Sequence, residues 1–198
     1  PLRAMANDKF RLVQVIAPIQ TGKSIMTELL SCYIVARVKA PTLYVLDTKD
    51  RAENWMQTRI KKLWENCPKA KSVVGDKAIK SKSQTVDMGG TTFWVVGQDA
   101  KGNLQGKSIR WLVGDETWLW EEGHIQEARS RVESFGWLGK VILLSQGSFQ
   151  DDETHEVWKT TTQNEFGFEC PHCGCKQVWT YDQVRIPEGD KTASGEWD

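Results

Sequence analysis

The 198-residue sequence lacks a long apolar run, and no hydrophobic stretch in it reaches the roughly 20 residues with which a helix spans a bilayer. The first residues, which include Arg3 and Asp8, hold no apolar segment long enough for a secretory signal. An excess of either charge is also lacking, because 26 basic residues balance 26 acidic ones. The sequence therefore predicts a soluble, intracellular protein without a membrane partner, and it restricts any nucleic-acid contact to a local patch.

Cysteine is scarce and occurs in an odd number, five. Cys32 and Cys67 fall in predicted helices, whereas Cys170, Cys173 and Cys175 lie close together. This distribution favours a reducing compartment and a candidate metal site over a scaffold of disulfide bonds.

A strand-loop-helix pattern near the start of the chain is the strongest functional signal. A β-branched run, 13–16, leads into a loop that closes with Gly-Lys-Ser, and residues at helical spacing follow. In such a loop, backbone N–H groups and the positive end of the helix dipole face an anion, so Lys23 reaches the β- and γ-phosphates of ATP and Ser24 ligates Mg²⁺. Ala17 stands where the motif has its first glycine. The predicted nucleotide-binding residues are Pro18, Ile19, Gln20, Thr21, Gly22, Lys23 and Ser24.

A second signal is an apolar strand, 109–114, that ends in Asp115 and Glu116. A nucleotide site needs one carboxylate for the Mg²⁺ shell and a second one to polarise the attacking water, which predicts Asp115 as a magnesium ligand and Glu116 as the general base. An acidic pair alone is common at strand ends, but downstream of a Gly-Lys-Ser loop it is specific. The aromatic segment 118–120 is interpreted as core or domain-contact residues, with a base-stacking platform as the alternative.

The remaining patterns predict the fold. Residues 42–47 read as a buried strand after the first helix, which gives a βαβ unit, a parallel sheet and a ligand site at the carboxyl ends of the strands. Residues 51–67 carry a helical apolar stripe, and 85–97 read as a hairpin that turns at Gly89-Gly90. We therefore predict an α/β domain over 1–165, with a mostly parallel central sheet flanked by helices, and a short cysteine-containing extension or linker over 166–198.

The segment 69–82 contains five lysines against Asp76 and shows little periodicity. It is interpreted as a solvated connecting segment. The alternative is a basic strip that touches a phosphate backbone.

Three further segments follow the acidic pair. Residues 123–135 predict a helix bearing Arg129 and Arg131, each a candidate arginine finger for a neighbouring subunit, with a packing role as the alternative. Residues 140–148 predict a buried strand that ends in Ser145 and Gln146, whose hydroxyl and amide groups are candidates for sensing the γ-phosphate and coupling hydrolysis to a neighbouring element. A plain polar strand exit is the alternative. Residues 151–162 predict a last helix.

A C-x-x-C turn at Cys170 and Cys173 has half of the ligands of a structural zinc site. Closing a four-ligand site would require His172, Cys175 or ligands outside this sequence. A reduced, unfilled turn is the alternative, and we expect only weak zinc binding.

In this order, the motifs resemble the ATPase domain of the large terminase subunit of tailed bacteriophages, in particular its lambda-type branch. The segments that carry the resemblance are Ala17 to Ser24, Val113 to Glu116, Glu121 to Gly123 with Ala128 to Phe135, Leu144 to Ser148, and Cys170 to Gly174. Two features depart from the family pattern: Gly114, where an aliphatic residue is usual, and the segment 145–148, where a Ser-Thr-Pro-like coupling motif is usual.

The resemblance implies a P-loop ATPase of the ASCE class that uses ATP and Mg²⁺ to drive double-stranded DNA into a procapsid. It implies the portal protein and the small terminase subunit as partners, a ring oligomer when assembled, and a location in the host cytoplasm but not in the mature virion. An RNase H-like nuclease domain would lie outside this sequence. The alternatives are a helicase-type DNA-dependent ATPase core, which would carry a second RecA-like domain, and a nucleotide-binding scaffold module, against which Glu116 and Lys23 argue.

Overall fold

A computed structural model describes residues 1–99, 102 and 104–178 of the chain. The chain divides into two compact units, Pro1–Thr161 and Thr162–Asp198. The sequence predicted a boundary after residue 165.

The first unit is built on a six-stranded sheet with the order β1-β6-β5-β2-β4-β3. The strands are β1 (Leu12–Ile16), β2 (Thr42–Leu46), β3 (Thr85–Asp87), β4 (Thr92–Gly97), β5 (Trp111–Gly114) and β6 (Lys140–Ser145). All neighbouring pairs are parallel except β3 and β4, which form the predicted hairpin at one edge. The predicted mostly parallel α/β fold is confirmed.

The central strands β2, β5 and β6 are buried along their whole length. Their runs of leucine, valine and isoleucine suit strands that are covered on both faces of a parallel sheet. β6 lies between β1 and β5, so one further strand separates the strand before the Gly-Lys-Ser loop from the strand that ends in the acidic pair. β1 and β2, although parallel, are therefore not neighbours.

Helices cover the sheet and follow the strands in chain order. They are α1 (Leu2–Ala6), α2 (Lys23–Tyr33), α3 (Lys49–Trp55), α4 (Lys61–Asn66), α5 (Pro68–Val74), α6 (Asp76–Lys80), α7 (His124–Ser130) and α8 (Glu153–Lys159). A π-helical turn, Ile34–Val38, extends α2, and another, Met56–Ile60, joins α3 to α4. No described helix is long and apolar enough to cross a membrane.

The helix after the Gly-Lys-Ser loop shows how packing selects the buried face. Ile25 and Leu29, two of the apolar residues at helical spacing after the loop, are 53% and 46% exposed, whereas Leu30 and the polar Thr27 are buried. The hydroxyl of Thr27 lies 2.8 Å from the Tyr44 hydroxyl on β2, which offsets the cost of burying it. The sequence therefore predicted the helix, and its contact with β2 determined the buried face.

Two segments differ from their predicted structure. The lysine-rich segment 69–82, for which little periodicity was found, forms most of α5 and all of α6, because Ala70, Val74 and Ile79 pack into the core while most of the lysines stay exposed. The helix predicted over 123–135 ends at Ser130, and a 3₁₀ segment, Glu133–Leu138, follows it with a kink at Gly136.

In the second unit the structure describes residues 162–178. There β7 (Gly167–Glu169) pairs antiparallel with β8 (Lys176–Val178), and the cysteine turn joins the two strands. Most of these residues are exposed.

Candidate nucleotide site

The loop between β1 and α2 leads into an uncapped helix N-terminus. Gly22 precedes α2 with a φ of 83°, in the left-handed region that glycine adopts without steric cost. Since glycine has no side chain, this position cannot cap the first N–H groups of the 11-residue helix. Thr21 Oγ1 donates a hydrogen bond to the carbonyl oxygen of Pro18 at 2.7 Å, which closes the loop on itself. This geometry suits a phosphate group, whose oxygens accept from backbone N–H groups.

Lys23 is buried at the head of α2. Its Nζ donates to the carbonyl oxygens of Ala17 and Pro18, each at 2.7 Å. The ammonium group therefore lies against the loop and can exchange these carbonyl partners for phosphate oxygens. Ala17 is absent from the positive-φ residues of the described chain, which explains why the loop tolerates alanine at its entry.

Ser24 and Asp115 bring the two sequence motifs together. Ser24 Oγ donates to Asp115 Oδ2 at 3.3 Å across 91 residues of sequence. Tyr44 on β2 also donates to Asp115 Oδ2, at 3.4 Å, and the Asp115 side chain is almost fully buried. One hydroxyl oxygen and one carboxylate oxygen at this spacing fit the oxygen ligands that Mg²⁺ takes.

Burial, followed by the neighbouring charge of Glu116, raises the pKa of Asp115 to about 6. The hydrogen bonds from Ser24, from the Glu116 backbone N–H and from Tyr44 act in the opposite direction. Burial and the Asp115 charge also raise the pKa of Tyr44, so its hydroxyl remains a donor. A buried carboxylate in this position is stabilised by a cation, which suits Asp115 to the role predicted for it.

Glu116 lies at the turn where β5 ends. Its φ is 50°, in the left-handed region, and it starts a 3₁₀ turn, Thr117–Leu119. The Glu116 backbone N–H donates to Asp115 Oδ1 at 3.1 Å, and the indole N–H of Trp118 donates to Glu116 Oε2 at 2.7 Å. The turn thus keeps the two acidic side chains adjacent and holds one oxygen of the second carboxylate.

Gly114, which departs from the family pattern, has a packing reason. A Cβ added at this position would lie 2.9 Å from Cη2 of Trp120 and 3.1 Å from Cδ2 of Leu143. Trp120 is buried, and its indole N–H donates to the carbonyl oxygen of Asp115 at 3.1 Å. The large indole therefore fills the space that an aliphatic residue at position 114 would need. Trp120 belongs to the core, as the first interpretation of segment 118–120 proposed.

The end of β6 lies beside the phosphate loop. The carbonyl oxygen of Ser145 accepts from the Ala17 backbone N–H at 3.0 Å, and Ser145 pairs with Ile16 in the sheet. The Ser145 hydroxyl is fully buried and has no hydrogen-bond partner in the described structure. Gln146 follows, half-buried. Ser145 is thus in contact with the loop through its backbone, while its hydroxyl has no partner in the described structure.

Arg129 and Arg131 lie at the end of α7 and are both half-buried. Arg131 Nε donates to the carbonyl oxygen of Glu127 at 3.4 Å. Within the described residues neither guanidinium contacts the phosphate loop or the acidic pair. The structure therefore places them outside the cluster formed by Lys23, Ser24 and Asp115.

A cavity of about 300 Å³ opens beside Ser24 and Asp115. Arg51 and Arg59 from the α3 side line it, and each is paired with an acid: Arg51 with Asp47 at 2.9 Å and Arg59 with Glu28 at 2.9 Å. A second cavity, of about 290 Å³, contains none of the predicted site residues. The first cavity is therefore the one that adjoins the proposed Mg²⁺ ligands.

The cysteine turn does not gather a metal site among the residues that the structure describes. Cys170, Cys173, Cys175 and His172 do not bring three ligand atoms within 4.8 Å of one another. The turn is closed by backbone bonds instead, from the Cys170 N–H to the Cys175 carbonyl and from the Gly174 N–H to the Cys170 carbonyl, both at 2.9 Å. Zinc binding at Cys170 and Cys173 stays a prediction.

Sequence reasoning missed Tyr44 and Trp118 as partners of the acidic pair. Tyr44 is one of five consecutive buried residues of β2, and no pattern in the sequence shows that β2 lies next to β5. Trp118 follows Glu116 by two residues and was grouped with its aromatic neighbours. A 3₁₀ turn directly after Glu116 is the signal that would have indicated the contact between Trp118 and the Glu116 carboxylate.

Comparisons with solved structures show proteins of similar fold. The HK97 bacteriophage large terminase has a similar fold, with a TM-score of 0.63 and 13% identity over 78% of this chain and 33% of that chain. The ATPase domain of the Thermus phage P74-26 large terminase gives a TM-score of 0.54 and 16% identity over 85% of this chain and 72% of that one. This chain thus spans about a third of the HK97 protein, and no curated protein sequence matches it.

The family model for the ATPase domain of the phage terminase large subunit gpA matches residues 1–197. Membership in this family implies ATP hydrolysis. Because the match extends over nearly the whole chain, the chain belongs to the family of phage terminase large subunit gpA ATPase domains.

Proposed function

We propose that this chain is the motor domain of a DNA-packaging terminase, which hydrolyses ATP to move viral double-stranded DNA into a procapsid. The observation that carries the proposal is the hydrogen bond of 3.3 Å between Ser24 and Asp115. It joins the end of a phosphate loop to an acidic pair, the two parts that phosphoryl transfer requires.

Each residue of the site has a role in this proposal. The segment 18–24 binds the nucleotide, and the Lys23 ammonium leaves the loop carbonyls for the β- and γ-phosphates. Ser24 and Asp115 hold Mg²⁺, which offsets the charge of the phosphates when it is bound. Glu116 orients the attacking water and accepts its proton.

Ser145 and Gln146 are proposed to couple the site to the rest of the domain. The hydrogen bond of 3.0 Å from the Ala17 N–H to the Ser145 carbonyl oxygen supports this role, since it would carry a shift of the loop on hydrolysis to the end of β6. The unpartnered hydroxyl of Ser145 supports this role, because a fully buried hydroxyl without a partner is costly to maintain.

Arg129 or Arg131 is proposed to act on the nucleotide of a neighbouring subunit. An arginine finger accelerates hydrolysis by roughly 10³ to 10⁵, so an isolated chain should be a slow ATPase. Mixing Arg131→Ala chains with Lys23→Ala chains tests this role. Recovery of activity in the mixture is expected, because each assembly then contains intact sites facing intact arginines. If the mixture stays inactive under conditions in which the parent assembles, Arg131 has no role in trans.

The proposed assembly is a ring on the portal, with the small terminase subunit as a partner, in the host cytoplasm and outside the mature virion. The experiment that tests the proposed function is phosphate release from ATP with and without double-stranded DNA. We compare the parent with Glu116→Gln and with Glu122→Gln, which removes an exposed carboxylate nearby.

Nucleotide binding should survive in Glu116→Gln, while turnover falls by roughly 10² to 10⁴. The Glu122→Gln control should match the parent. DNA should stimulate the parent without being unwound. Strand separation would favour a helicase core, and binding without hydrolysis under all conditions would favour a nucleotide-binding scaffold.

A further inference from the structure

Two tryptophans hold the acidic pair, and they do so differently. Trp120 donates its indole N–H to the Asp115 carbonyl oxygen and so anchors the backbone. Trp118 donates to the Glu116 side chain, with Nε1 2.7 Å from Oε2. Within the described residues this is the one hydrogen bond made to the Glu116 carboxylate. Its length is typical of a bond between an N–H group and a charged oxygen.

The turn that carries Trp118 is fixed at both ends. The Leu119 N–H donates to the Glu116 carbonyl oxygen at 2.9 Å, and the Trp120 N–H donates to that of Thr117 at 3.1 Å. Thr117 is buried, and its hydroxyl accepts a bond of 3.4 Å from Thr154 on α8. Trp118 therefore lies on a turn that backbone hydrogen bonds close and that Thr117 ties to α8.

We propose that Trp118 is a positioning residue for hydrolysis, whose indole N–H fixes the orientation of the Glu116 carboxylate. This inference rests on the proposed function, in which Glu116 is the general base. Because the indole N–H already binds Oε2, Oε1 is the oxygen that this proposal assigns to the attacking water.

The step that Trp118 supports is the attack of water on the γ-phosphate of ATP, with the Glu116 carboxylate as the proton acceptor. The water oxygen bonds to the γ-phosphorus, and a water proton moves to Oε1 of Glu116. The bond between the γ-phosphorus and the β-γ bridging oxygen breaks, and its electron pair stays with ADP. Without the indole N–H, the carboxylate samples other rotamers, and fewer encounters place Oε1 next to the water.

Two substitutions separate the N–H group from the aromatic ring. Trp118→Phe keeps an aromatic side chain and removes the donor. Trp118→His keeps a donor in the same region, because the imidazole ring has the size of the pyrrole part of indole and its Nε2 stands about where the indole nitrogen does. Trp137→Phe is the matched control, because Trp137 is 72% exposed and lies on the 3₁₀ segment away from the acidic pair.

We expect Trp118→Phe to lower kcat for ATP hydrolysis at least tenfold, with KM and the affinity for a non-hydrolysable ATP analogue changed less than twofold. Trp118→His should recover most of kcat, and Trp137→Phe should match the parent. In a Glu116→Gln background, Trp118→Phe should cause no further loss, because the residue acts only through Glu116.

Three results would overturn the inference while leaving the proposed function intact. They are a parent-like or increased kcat in Trp118→Phe, an equal loss in Trp118→Phe and Trp118→His, and an additive loss in the Glu116→Gln background. Absence of hydrolysis by the parent would instead contradict the proposed function. Unfolding midpoints of the four single variants show whether each protein is folded before its rates are compared.

Discussion

The carboxyl edge of the large sheet and the cysteine turn of the second unit both offer ligands for a metal, but they are built in opposite ways. At the sheet edge, Ser24 and Asp115 come from elements 91 residues apart, and the carboxylate is almost fully buried. In the turn, Cys170 and Cys173 are three residues apart on an exposed hairpin. The packing of the sheet domain holds Ser24 and Asp115 together, whereas local backbone hydrogen bonds hold the cysteine turn.

The cysteines repeat this contrast. Burial, followed by the charge of Cys67 and a hydrogen bond with it, raises the pKa of the Cys32 thiol to about 12. The backbone N–H groups of His172 and Cys173 lower the pKa of Cys170. The Cys32 thiol therefore ionises less readily than an ordinary thiol, and the Cys170 thiol ionises more readily.

The largest effect that tests this contrast is expected at the sheet edge. Lys23→Ala removes the buried ammonium that meets the phosphates, so nucleotide affinity should collapse and turnover should fall on the order of 10³. Lys39→Ala, which removes an exposed lysine after the same helix, is the control. ATP binding and phosphate release are measured for both. Hydrolysis by Lys23→Ala at the parent rate would show that the site lies elsewhere.

The cysteine contrast predicts a difference in alkylation rate of at least about a hundredfold. At pH 8 the thiolate fraction falls about tenfold for each unit by which the pKa exceeds the pH, and the thiolate is the reactive form. Iodoacetamide should therefore label Cys170 long before Cys32, as followed by peptide mass spectrometry. In denaturant the two should react alike. Equal rates in the folded chain would contradict the difference in environment.

Crowding at the sheet edge predicts a moderate loss of stability. Gly114→Val should lower the free energy of unfolding by about 1 to 3 kcal/mol, because the new side chain meets Trp120 and Leu143. Urea denaturation measures the change. Trp120→Phe replaces the indole by a smaller ring. In a Trp120→Phe background, Gly114→Val should therefore lower the free energy of unfolding less than it does in the parent. If Gly114→Val leaves the free energy of unfolding unchanged, Trp120 does not fill this space.

The smallest effect is expected from metal removal at the turn. Elemental analysis should find less than one zinc per chain, since Cys170 and Cys173 supply two thiolates where a structural site needs four ligands. A chelator should remove this zinc without loss of ATPase activity. One tightly held zinc whose removal unfolds the first unit would contradict the separation of the two regions.

Much of the sheet edge could be predicted because its motifs are local. The strand, loop and helix around Lys23 are consecutive in sequence, and Asp115 and Glu116 follow a strand whose apolar run is plain. The helices in segment 69–82 escaped prediction because only a few small or β-branched residues, such as Ala70 and Val74, mark their buried face. The early end of α7 escaped it because residues 131–135 continue a helix-like sequence pattern but form a turn and the start of a 3₁₀ segment at Glu133.

The sequence by itself determined the chemistry at each turn: a lysine and a hydroxyl at a helix start, two carboxylates at a strand end, and two thiols in a tight turn. Only the tertiary structure decided which of these meet. Tyr44 reaches Asp115 across 71 residues because β2 and β5 are neighbours, and β6 separates β1 from β5. Strand order of this kind is set by how buried apolar strands pack together. Because such strands are continuous apolar runs that resemble one another, the sequence does not identify which strand lies next to which.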